Sequence, residues 1–163
     1  MRCPIKSPFV RYLEQLQGIL HKVPDNLFAE SLAAGMLPLG VHARVASNFA
    51  LRGYCPLVGK PVVTFDRDSI ERQAIERQVA QTLACLEQLP DAPVLDNEIL
   101  HDDKAGFTLL SLPQPEFIYH YILPNFFFHI SMVYAIARTK GVEVGKGDFD
   151  GYHSYPQGFY FPS

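Results

Sequence analysis

The 163-residue chain has no tryptophan and only three cysteines, Cys3, Cys55 and Cys85. The cysteines are odd in number, far apart and never arranged as CxxC. That excludes a zinc knuckle and a dithiol redox pair, and reads as buried or idle thiols. Positive charge is also sparse. The net charge is −3, with lysine and arginine scattered. No basic stripe with interleaved aromatics marks a nucleic-acid surface. No apolar run approaches the length of a membrane span, and the opening MRCPIKSPF lacks the apolar stretch of a signal peptide. The expectation is a cytoplasmic protein that engages neither nucleic acid nor membrane. There is no GxSxG, and no serine or cysteine has a histidine at a meaningful spacing, so nucleophilic catalysis has no support. The glycine-rich GVEVGKGDFDG follows a helix instead of opening one, so it lacks the donor cradle of a phosphate site. No catalytic residue is indicated.

What the chain does have is apolar helix. With 48% hydrophobic and 19% charged residues, its length suits one domain with a full core. Ser7 as N-cap and Pro8 at the first helical position open a helix over about 8–22. Phe9, Leu13, Leu16, Leu20 and Val23 lie on its stripe. A second helix is predicted from Pro38 to about Arg52, closed by Gly53. Val41, His42, Val45, Ala46 and Phe49 lie on its apolar face, and Arg44, Ser47 and Arg52 on its wet side. A third starts near Asp68, where Asp68 and Glu71 have capping-box spacing, and stops at Pro90. Its charges Glu71, Arg72, Glu76 and Arg77 read as a solvated face. Residues 98–101 and 107–112 flank a turn at Asp103–Gly106 and suggest a short hairpin.

The longest apolar stretch, from Pro113 to Asp148, predicts a fourth helix from about Pro115 to Thr139, ended by Gly141 in a left-handed cap. Pro124 implies a kink or a local widening. Ile118, Ile122, Asn125, His129, Met132 and Ile136 share one stripe, which puts Asn125 and His129 one turn apart on an oily face. Phe126, Phe127 and Phe128 cannot all face one core, so the helix is buried on several sides or shared with a second subunit. His21, His101 and His153 fall in helix-end, loop and tail contexts and read as solvated. The segment 151–163 is an aromatic tail that should lie over the bundle or over a neighbouring subunit. The four helices define an all-α four-helix bundle over 1–150.

The run LPNFFFHISMVYAIAR followed by GVEVGKGDF, with SPFVRYLEQLQGIL and MLPLGVHARVASNFA earlier, resembles a bacterial and fungal family known only as a domain of unknown function. That family is grouped with the DinB/YfiT-like metalloenzyme superfamily. The resemblance covers about 1–150. It implies an up-down-down-up bundle, usually a homodimer. Many superfamily members hold a divalent metal through three histidines, one on helix two and an HxxxH pair on the last helix. Carried over, those positions fall on His42, Asn125 and His129. The pair is therefore NxxxH, and the metal triad is degraded, because a neutral amide oxygen suits calcium or magnesium better than zinc, nickel or iron. Two functions follow as expectations. One is a structural or small-molecule-binding homodimer without a cofactor, in which His42, Asn125 and His129 hydrogen-bond one another. The other is a metal-dependent enzyme of the DinB/YfiT kind, a transferase or hydrolase acting on a thiol or another small molecule.

Overall fold

The computed structural model describes residues 4–162, so Cys3 lies outside the described residues. Helix α1 spans Lys6–Lys22. A short 3-10 turn at Asp25–Leu27 leads toward α2, Leu39–Leu57. Helix α3 is Arg72–Gln88. Strands β1, Leu100–Ala105, and β2, Thr108–Pro113, form an antiparallel hairpin. The long helix α4 begins as Gln114–Glu116, widens into a π-helix over Phe117–Ile122 and continues as Leu123–Thr139. A short α5, Lys146–Asp150, precedes the tail. The chain is thus mostly helical with a small two-stranded sheet. The all-α, four-helix expectation is corrected to that extent, although the hairpin was foreseen.

Helix α2 packs chiefly on α4, and α3 lies against both α1 and α2. The core between them is built from Phe9, Leu13, Leu16, Ala46, Ala50, Phe126, Ile130 and Val133, all fully buried. Helices α2 and α4 approach closely at Gly53. A side-chain carbon there would run into Ile122 Cγ2. Gly53 therefore does not end α2; it lets the two helix backbones meet, and the helix continues through Pro56 to Leu57.

The widening expected at Pro124 is present. The Leu123 N–H reaches back to the Ile118 carbonyl, one residue further than in a regular α-helix. It absorbs the donor and the space that proline denies the preceding turn. At the other end, Gly141 has φ 88°. Its N–H bonds Arg138 O at 3.1 Å, and Val142 N–H bonds Ala137 O at 2.9 Å, which is the Schellman closure predicted for it.

Three predicted starts and turns shift. Helix α1 begins earlier, with Ile5 at the cap and Ser7 inside the helix; Pro8 remains in the first turn, where an N–H has no intrahelical partner to lose. Helix α3 begins only at Arg72. Asp68 takes a left-handed φ of 53° and its carboxylate accepts from Arg44 at 3.2 Å, so no Asp68–Glu71 capping box forms. The hairpin turn is Gly106–Phe107, because Ala105 pairs with Thr108.

Some predicted wet residues are also structural. Ser47 is buried and donates to Ala43 O at 3.1 Å. Arg72 donates to Val23 O at 2.8 Å and His21 O at 3.2 Å, tying α3 to the carbonyl end of α1. His101 is half-buried. Its Nε2 accepts from the buried Gln114 amide at 3.1 Å, and burial lowers its pKa against the opposing charge of Asp102.

Candidate functional site

The predicted polar cluster lies where α2 crosses α4. The first turns of α2 are fixed by the loop before it. Leu39 N–H bonds Glu30 O at 2.8 Å and Gly40 N–H bonds Phe28 O at 2.9 Å, so donors that a helix start leaves open are satisfied. This sets His42 inward, buried at 2% exposure. His129 comes from the middle of α4, beyond the π-turn, and is also buried.

The two histidines meet through their Nδ1 atoms at 2.9 Å. One ring donates and the other accepts, so the accepting ring is neutral and the two cannot both be charged while the bond stands. The electrostatics agree. Burial, then the neighbouring His42, then Arg52 bring the His129 pKa down to about 4. Burial also lowers that of His42, with the Leu37 carbonyl opposing. The far nitrogen of His42, Nε2, is buried and meets no hydrogen-bond partner.

Asn125 does not join the pair. Its amide donates to Tyr121 O at 2.7 Å, along its own helix. Sequence reasoning placed the three residues on facing stripes correctly, but the structure brings only His42 and His129 into contact.

The residues it missed complete the site. The Phe49 ring stacks on His129, centroids 5.8 Å apart and 23° from parallel. Phe128 stands edge-on to both imidazoles, at 6.1 Å from His42 and 5.1 Å from His129. The Arg52 guanidinium lies over the Phe49 ring at 4.4 Å. Arg52 also donates to Asp103 Oδ2 at 2.7 Å, Tyr121 Oη at 2.9 Å and Lys104 O at 3.2 Å. Burial raises the Tyr121 pKa, with Arg52 pulling down and Asp103 pushing up. The signal was available: Phe49 shares the His42 stripe and Arg52 follows it by one turn.

This donor set does not fit a metal of the kind the superfamily binds. The observed 2.9 Å is a hydrogen-bond length. The amide that would replace the third histidine is held by its nitrogen, which donates to the Tyr121 carbonyl, and its oxygen is a neutral ligand ill suited to zinc, nickel or iron. Among the described residues no group of three or more histidine, cysteine, aspartate or glutamate side chains is gathered for a metal. Asp103, the nearest carboxylate of this network, is held by Arg52.

The fold and site define a DinB-like helical protein whose histidine pair bonds helix to helix. A solved structure of a DinB family member protein from Shewanella denitrificans is similar to this chain, with a TM-score of 0.77 and 25% identity over 96% of this chain and 93% of that one. Residues 6–150 match the family described as Domain of unknown function (DUF1993), and the chain belongs to that family. No curated protein matches it.

Proposed function

We propose that this chain is a cytoplasmic homodimeric module, structural or small-molecule-binding, whose ancestral metal site has become a hydrogen-bonded bolt between α2 and α4. The observation that carries the reading is the buried Nδ1–Nδ1 contact of His42 with His129 at 2.9 Å. A catalytic metal site needs at least three converging donors and an open position for water or substrate; this pair offers two donors aimed at each other. The cytoplasmic assignment is supported by the free thiols of Cys55 and Cys85, which suit a reducing compartment. No helix among the described residues is long and apolar enough to cross a membrane. The homodimer is supported by large apolar side chains turned outward: Phe107, Leu109 and Leu100 on the hairpin and Phe128 on α4.

Elemental analysis of untagged protein, before and after soaking with zinc, nickel, iron and manganese, tests the reading. The expected result is no stoichiometric metal in either the native protein or His129→Ala. Near-stoichiometric metal in the native protein that disappears in His129→Ala would replace the reading with the metal-dependent enzyme.

A further inference from the structure

The aromatic tail is organised, and it encloses space. Tyr155 and Phe159 stack with centroids 5.2 Å apart and planes 8° from parallel. Phe161 stands edge-on to both, at 5.3 Å and 5.1 Å. The start of the segment is anchored. Arg11 lies 3.7 Å over the Tyr152 ring, the His153 side chain bonds Asp150, and the His153 carbonyl sits against Gly147, where a Cβ would not fit. The rings therefore stand over the ends of α4 and α5 with a cleft of about 540 Å³ between. Tyr134, Arg138, Lys146, Tyr155, Phe159 and Phe161 line it. A second hollow reaching Ser131 and Phe149 shares Tyr134, Lys146 and Phe161 with it.

Charge gives the cleft a sign. Arg138 and Lys146 make no ion pair among the described residues. Among the described residues the cleft's single carboxylate is Glu143, so cations are in excess there. The volume falls in the range of small-molecule sites, which combine apolar walls with a few polar groups that fix orientation. Tyr155 stacks with both Phe159 and His153, so Phe159 is the stacked ring with a face left for a flat π-system, and a guanidinium and an ammonium lining the same cleft suit a carboxylate.

We propose that this cleft binds a planar aromatic anion of the aryl carboxylate class, its ring against Phe159 and its carboxylate held by Arg138 and Lys146. The site is separate from the histidine pair and stands or falls apart from the function proposed above.

Calorimetric titration of the full chain with 2-naphthoate tests it, with neutral 2-naphthamide as the isostere. The expected result is saturable one-to-one binding of naphthoate. The R138A/K146A variant should bind about tenfold or more weakly, as should the amide against the native protein, since both remove charge-assisted bonds. F159A/F161A should lose binding as well. All four side chains are exposed, so these variants should melt as the native protein does. The proposal is overturned by non-saturable binding, by equal affinity for acid and amide, or by unchanged affinity in either double variant.

Discussion

A 2.9 Å contact between two buried imidazoles makes each ring's protonation state the other's concern. The folded-state pKa of His129 is about 4, below the ordinary value near 6.5. Between those limits the unfolded chain binds more protons, so stability rises with pH across that window. It is fully present above about pH 6.5 and is lost as pH falls toward 4, by about 3 kcal/mol from His129 alone. His42 shifts in the same direction. Denaturant midpoints measured at pH 7.5, 6 and 4.5 should fall in that order, and His129→Ala should flatten the trend. His129→Ala itself should cost about 2–4 kcal/mol, through a cavity and an unpaired His42. Asn125→Ala should cost about 1 kcal/mol or less, because only a local bond to Tyr121 is lost. Equal losses in thermal melts of the two variants would indicate that the amide belongs to the pair after all. Helical spacing made His42, Asn125 and His129 legible as one neighbourhood. It could not reveal which way the Asn125 amide turns, because that depends on carbonyls of its own helix and not on the facing one.

At the scale of elements, two devices hold the site together. One is the contact of Gly53 with Ile122, which joins α2 to the π-turn of α4. Gly53→Ala should cost about 2–3 kcal/mol by forcing the helices apart. Ile122→Ala in the same chain should recover part of that loss, giving a coupling above about 1 kcal/mol in a double-mutant cycle; strict additivity would contradict the contact. The other is Arg52, which bonds Asp103, Lys104 and Tyr121 at once. Arg52→Ala should raise amide exchange over 100–105 more than in α1, since the hairpin loses its tie to α2. Element types were legible from periodicity and from Pro and Gly. Their ends were not. Gly53 looked like a stop because nothing in α2 shows that Ile122, far along the chain, occupies the space beside it. Arg52 and Arg72 looked wet because their acceptors are backbone carbonyls and carboxylates supplied by other elements.

For the whole molecule, the proposed homodimer would cover apolar side chains that one copy leaves outward. Phe107 is fully exposed, Leu109 is 81% exposed and Phe128 51%. Light scattering should give twice the 18.3 kDa chain mass, and Leu109→Lys should shift the population toward monomer. A native mass of one chain would contradict the homodimer. The coarse architecture was legible because most of the core lies on helical stripes; Leu16, Ala46 and Ile136 are all buried as their spacing requires. The sheet was legible only as a suggestion, since β2 carries Leu109 outward and Leu110 inward side by side, which blurs the alternation that marks a strand.

The histidine pair is tested most directly by nitrogen-15 NMR of the imidazole rings between pH 4 and 8, with and without added zinc. The account predicts two neutral rings of defined tautomer at pH 7, one protonated at Nδ1 and the other accepting there, unaltered by zinc and charging only as the pH nears 4. Rings that charge near pH 6.5, or nitrogen shifts that move stoichiometrically with zinc, would contradict it.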